Sequence, residues 1–332
     1  RKDLLEAAIA YYEALVAQYP QDPSLLADLA VARIRVVPIY NDFDRNDDLI
    51  DTLSDGLECI ERLQQNFAGA KREQLRLAGF WKPLQTGKKS TRPRDTDKTD
   101  RTLKKLVTTW ESLSEAHPQV VGFQSDLAAA YYALARWQME FGHATGNPEV
   151  LHHGFETAEK GIAIWEQLCA AHPDQSDYAA NLIEALGDAG YWLNTKGQPE
   201  RGLALYRRKD EVVDLSIGKF PHLPHFRAQY VFRLNSKARR FEEQGRLSEA
   251  KAAFQQMLDE ASKLRDEFPG VPDFSKSVCW ANLSLIRVAE SLGQPQTEID
   301  AIRRNVVAEI DSLQKLSDEV FQTADEQWQY AE

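Results

Sequence analysis

Apolar positions recur along the chain at spacings of three and four, and the register of that pattern itself repeats. An aromatic or His, usually followed by Pro, stands at Tyr19-Pro20, Phe67, His117-Pro118, His172-Pro173, Phe220-Pro221 and Phe268-Pro269, in nearly even steps of which the widest lies between His117 and His172. Ten residues after these anchors lie Leu29, Leu77, Leu127, Leu182, Tyr230 and Val278, all apolar or aromatic. Six residues after them lie Leu25, Glu73, Phe123, Tyr178, Phe226 and Phe274, with Glu73 alone out of pattern. Four residues before them lie Leu15, Leu63, Leu113, Leu168, Ser216 and Leu264, and seven before the third and fourth lie Trp110 and Trp165. Residues that recur in register are core residues, because stacked units bury the same positions again and again.

Each anchor-Pro pair ends a helix, since Pro lacks an N–H and disfavours helix in its predecessor. Glycine follows four of the anchors at one fixed distance, at Gly142, Gly197, Gly245 and Gly293, where it suits the left-handed cap of a helix. Each unit is therefore helix, Gly turn, helix, Pro turn, and no strand-like alternation of any length occurs. The predicted fold is all-α, an α-solenoid of long tetratricopeptide-like helix pairs, each of about 48 residues. The small, Gly, Ala and aromatic spacing of Ala238, Gly245, Ala250 and Phe254 is that of a tetratricopeptide repeat. That repeat has about 34 residues, so each helix here gains roughly two turns. The units run 19–66, 67–116, 117–171, 172–219, 220–267 and 268–316 within a single domain of 332 residues, with a helix over 1–19 at one end and over 297–330 at the other. The longest unit places its seven extra residues within 143–155. Lys82 to Lys105 contains Pro83, Gly87 and Pro93 with nine basic and three acidic residues, and reads as a long exposed loop outside any core.

Charge narrows the function. With 40 Lys+Arg against 51 Asp+Glu the net charge is −11, which argues against a nucleic-acid binder. No stretch reaches the roughly 18–20 apolar residues of a membrane span, so a soluble domain without direct membrane insertion is expected. The chain opens on Arg1 rather than Met, and a segment upstream of it is expected. Cys59, Cys169 and Cys279 lack CxxC spacing and read as small core residues.

Candidate chemistry is sparse. Thr86-Gly87-Lys88-Lys89-Ser90 has the end of a P-loop but neither its first Gly nor a preceding strand. Asp42-Phe43-Asp44-Arg45-Asn46 opens like a calcium loop, yet Asp47 replaces the turn Gly and Leu53 the bidentate Glu, so it reads as an acidic turn and helix cap. His117 and His172 occupy anchor positions and read as packing residues. His152-His153 and His222-x-x-His225 are read as lying in or beside turns, with no acidic partner at helical spacing, and no metal is expected. Trp137, Trp192 and Trp280 fall outside the core register and are candidate partner-binding residues, as are Lys88, Lys89, Arg92 and Arg94 in the basic loop. No acid, base, nucleophile or metal set converges on a catalytic site, and no catalytic or cofactor-binding residue is expected.

The opening "RKDLLEAAIAYYEALVAQYPQDPSLLADLAVA", residues 1–32, and "GRLSEAKAAFQQMLDEASKLRDEFPGVPDFSKSVCWANLSLI", residues 245–286, resemble the tetratricopeptide region of planctomycete-type bacterial serine/threonine protein kinases. The resemblance implies the non-catalytic C-terminal part of a membrane-anchored kinase, extracytoplasmic or cytoplasmic. The catalytic domain, with its ATP and Mg, would lie upstream. There is no G-x-G-x-x-G, H-R-D or D-F-G here; Asp273-Phe274-Ser275 comes nearest and falls at a repeat turn. Two functions stay open: a scaffold that binds a protein or peptide partner, and an extracytoplasmic sensor that binds a small molecule or peptide in a concave groove.

Overall fold

The computed structural model describes residues 2–42, 45–79, 95–196 and 198–329. Among the described residues there are thirteen helices and no strand. In order they are α1 (Lys2–Gln18), α2 (Pro23–Asp42), α3 (Asn46–Asn66), α4 (Lys71–Leu75), α5 (Thr96–Ala116), α6 (Val121–Thr145), α7 (Pro148–Ala171), α8 (Ser176–Thr195), α9 (Pro199–Lys219), α10 (Pro224–Glu243), α11 (Leu247–Glu267), α12 (Pro272–Ser291) and α13 (Gln296–Gln329). The chain divides into two compact units, Arg1–Lys209 and Asp210–Glu332. Inside each, the main contacts run between sequence neighbours or next neighbours: α6 packs on α5, α7 and α8, and α12 on α10, α11 and α13. This is the contact pattern of an all-α tandem repeat.

The anchor turns have one geometry. Phe67, His117, His172 and Phe268 sit at φ between −130° and −135° and ψ between 46° and 64°. Their N–H groups donate to the carbonyls of Leu63, Leu113, Leu168 and Leu264 at 2.8–3.1 Å. Their own carbonyls accept from the residue three further on, as with Val120 N to His117 O at 2.9 Å. Pro after the anchor thus occupies the second position of a β-turn, where its fixed φ is preorganised. The ring at the anchor then meets the ring six residues on, as in His117 with Phe123 (5.6 Å), Phe220 with Phe226 (5.5 Å) and Phe268 with Phe274 (6.0 Å). After Phe67 the sixth residue is Glu73, and α4, which holds it, has only 5 residues.

The Gly turns confirm two positions and correct a third. Gly245 and Gly293 adopt φ of 72° and 66°, and the next residue donates across the turn, Arg246 N to Phe241 O at 2.9 Å and Gln294 N to Ala289 O at 3.0 Å. Gly142, expected in such a turn, instead lies buried inside α6. The capping residue is Gly146, at φ 65°, followed by Asn147, which caps α7, and Pro148 as its first residue. Gly142 has another reason to lack a side chain: a Cβ there would lie 2.6 Å from the Leu151 N of α7. Gly197 lies outside the described residues.

Leu113, Leu168, Leu264, Trp110 and Trp165 are buried at the equivalent places the repeat implies. Cys59 is buried as expected, whereas Cys169 and Cys279 are only half-buried and not full core residues. The basic segment also needs correction. Residues 82–94 lie outside the described residues, but Lys105 and the nine residues before it are the start of α5, where Thr99, Thr102 and Leu103 are buried. Asp95 caps that helix through Lys98 N at 2.8 Å. Here the helical period is carried by threonines, which composition alone counts as polar. The seven extra residues of the longest unit are absorbed by helix extension: α6 has 25 residues where α8, α10 and α12 have 20.

Candidate interaction surfaces

In the second unit, α10 and α12 occupy equivalent places in successive repeats and lie against each other. Phe232 and Trp280, one repeat apart, share one register position. Both stay open to solvent, at 45% and 43%, with ring centroids 6.4 Å apart and edge-to-face. Leu283, one turn further along α12, is 52% exposed. Of the five basic residues of α10, Arg227 pairs with Glu260 and Glu267, Arg233 with Asp214 and Arg240 with Asp210. Arg287 holds Glu242 through two bonds of 2.7 and 2.8 Å, and that bond keeps the Glu242 carboxyl below the usual glutamate range. Lys237 stands 6.0 Å from the Phe241 ring centroid. An exposed aromatic and aliphatic strip inside a polar, ion-paired rim has the composition of a binding surface.

The α6–α8 seam of the first unit is built differently. Tyr132 donates to Asp188 at 2.7 Å, and Arg136 reaches the same carboxylate at 3.2 Å and Glu140 at 3.3 Å. Burial pushes the Tyr132 phenol up, and burial followed by the Asp188 charge raises Glu184. Its charges satisfy one another, and the network fixes α6 to α8. Further along the seam the His143 and Trp192 rings meet at 5.3 Å, with Lys196 Nζ 5.9 Å from the Trp192 ring.

The tryptophans singled out from the sequence have different local surroundings. Trp137 is half-buried and stacks on Phe141 at 5.3 Å; Trp192 is half-buried in the seam; Trp280 alone of the three is exposed, in the other unit. Lys88, Lys89, Arg92 and Arg94 lie outside the described residues, as do Thr86 to Ser90. Sequence reasoning missed the partners of Trp280 in the strip, Phe232 and Leu283. Phe232 could have been found because it lies one repeat before Trp280.

His117 is buried, with Nε2 3.1 Å from Gln74 Oε1. The pair His152-His153 does have an acidic partner at helical spacing: Glu156 lies 3.4 Å from His152 Nε2 and 3.1 Å from His153 Nδ1, all on the exposed side of α7. Both residues belong to the helix and not to a turn. Among the described residues no three His, Cys, Asp or Glu are placed to hold one metal ion. Asp42 ends α2 and Asn46 begins α3, with 43 and 44 outside the described residues. Among the described residues no helix is long and apolar enough to cross a membrane.

No family model matches the chain, and no curated protein matches it. Among solved structures it is similar to a thermophilic TPR protein of Thermus thermophilus, at 18% identity and TM-score 0.30 over 63% of this chain and 91% of that one. It is also similar to a circular tandem repeat protein with novel repeat topology and enhanced subunit contact surfaces, at 14% identity and TM-score 0.34 over 97% of this chain and 80% of that one. Both are repeat proteins, and the all-α repeat architecture of this chain rests on its own turns and helix pairs.

Proposed function

We propose that the chain is a non-catalytic scaffold for protein interaction, a single repeat domain over residues 1–332, which holds a partner segment on the α10–α12 strip. The observation that carries this reading is the exposed Phe232–Trp280 pair with Leu283 beside it, at repeat-equivalent positions that a purely structural helix pair would fill with polar residues. The rings set the partner class, a polypeptide segment with apolar side chains, and Lys237 and Arg239 of α10 favour Asp and Glu beside them. The finer reading, that this is the C-terminal region of a membrane-anchored serine/threonine kinase, is supported by the resemblance in residues 1–32 and 245–286. On that reading ATP and Mg belong to the upstream catalytic domain, and no cofactor belongs to this chain.

The test is selection of peptides from a random display library on the purified chain, followed by titration of the selected peptides into wild type and a Phe232→Ser, Trp280→Ser double variant. Acidic peptides with aromatic or aliphatic residues should be selected, and their affinity should fall at least about tenfold in the variant. Selection of basic peptides, or equal binding to the variant, would refute the assignment.

A further inference from the structure

The second unit also contains a cleft of about 590 Å³ between α11, α12 and α13, lined by Leu258, Asp259, Ser262, Val278, Asn282 and Glu309 among others. It opens on the side of α12 away from the aromatic strip, because Val278 and Asn282 each stand two residues from Trp280, about 200° around the helix. Glu309 of α13 is more than nine-tenths buried. Its Oε2 accepts from Arg265 Nη1 at 2.6 Å, while its Oε1 is buried with no donor among the described residues. Arg265 turns its Nε and Nη2 to Asp266 Oδ1 at 2.9 and 2.7 Å, and neither reaches Glu309 Oε1. A buried carboxylate oxygen without a donor has lost its water and gained nothing in exchange.

We propose that this cleft binds a primary ammonium group, which donates to Glu309 Oε1. Among the lining residues Asp259 and Glu309 balance Lys263 and Arg265, so the attraction rests on the unpaired Glu309 oxygen and not on net charge. A guanidinium fits less well, because its planar fork seeks both oxygens of a carboxylate and Arg265 already holds one. An ammonium is a compact charge with three rotatable donors and needs only one oxygen from Glu309, with the side-chain oxygens of Asn282, Asn305 and Asp259 in the same lining as further acceptors. Leu258, Val278 and Ala308 offer an apolar wall to an alkyl stem. The ammonium could come from a free diamine or from a lysine side chain of a polypeptide, and the chemistry at Glu309 is the same. This site is independent of the α10–α12 strip and of the scaffold reading.

Calorimetric titration of the full chain with cadaverine, with acetyl-Gly-Lys-Gly-amide and with its arginine counterpart tests the assignment. Saturable binding of an ammonium probe is expected, at least about tenfold tighter than the arginine peptide and weakened at least about tenfold by Glu309→Gln. Ser262→Trp, which fills the cleft and keeps its charges, should weaken binding equally, and Asp273→Asn, exposed at the start of α12, should leave it unchanged. Circular dichroism melts establish that each variant is folded. Binding of cadaverine alone assigns a free amine, and binding of the lysine peptide assigns a protein source. No saturable binding of either ammonium probe, or binding that survives both Glu309→Gln and Ser262→Trp, would overturn the proposal.

Discussion

Gly202 at the start of α9 is the most direct test of how closely the helices approach. A Cβ on it would lie 2.7 Å from the backbone N of Asn194 and 2.7 Å from the carbonyl of Gly190, both on α8. Ordinary contact begins at 3.4 Å, so Gly202→Ala must part the two helices by several tenths of an ångström, and neither neighbour is a side chain that can swing away. Against this, Ala gains about 0.5–1 kcal/mol over Gly inside a helix. Overpacking of a fixed interface costs about 1–3 kcal/mol, so the net expectation is a loss of about 1 kcal/mol, or a Tm lower by about 2–4 °C for a unit of this size. Gly187→Ala is the matched control on α8: its nearest neighbour is Lys209 Nζ at 3.3 Å, the tip of a flexible chain, so the propensity gain should survive and Tm should rise. Thermal unfolding followed by circular dichroism reads both. Equal stabilisation by the two substitutions would show that the helices do not meet as closely as described.

Three further outcomes are expected. Leu168→Ala and Leu264→Ala, each emptying an equivalent buried place below an anchor, should cost about 2–5 kcal/mol in urea unfolding; no measurable loss in either would refute the register. Glu242, whose carboxyl is held low by Arg287, stabilises the fold above its ordinary titration range and loses that contribution as pH falls through its lowered folded value. The stability gap between wild type and Glu242→Gln should therefore shrink on acidification, and a gap that widens would contradict the bridge. Trypsin should spare Lys98, Arg101 and Lys104, which lie inside α5 and include the Lys98–Asp51 pair at 2.5 Å; early cleavage at any of them would mean that α5 starts later.

The turns were legible because each depends on one or two residues with strict backbone demands: Pro after an aromatic or His, Gly at positive φ. Gly142 misled because two glycines stand four residues apart; Gly146-Asn147-Pro148, an orderly sequence of helix stop, cap and first residue, carried the better signal. The start of α5 was hidden because Thr99 and Thr102 occupy core positions, the Thr99 hydroxyl donating to Asp95 O at 2.8 Å. Glu156 was overlooked as the partner of His152 and His153 because the segment was read as a turn, where helical spacing has no meaning. The interaction strip was only half visible. Apolar residues on a helix read as core, and Phe232 looks no different from its buried neighbour Val231 until exposure separates them. Glu309 gave no signal, since a lone Glu in an amphipathic helix is ordinarily solvated.

The lengthened hairpin of α6 and α7 has a practical meaning for evolution and for engineering. Its growth lies wholly at the Gly146-Asn147 end, remote from the anchor turns at His117 and His172, which keep the same dihedrals as their shorter relatives. Length at that end is therefore a free parameter of the repeat, and length at the anchor end is not. New sequence spliced between Gly146 and Asn147 would ride on the tip of a preformed hairpin, and the same number of residues placed beside Pro118 or Pro173 would tear the stack.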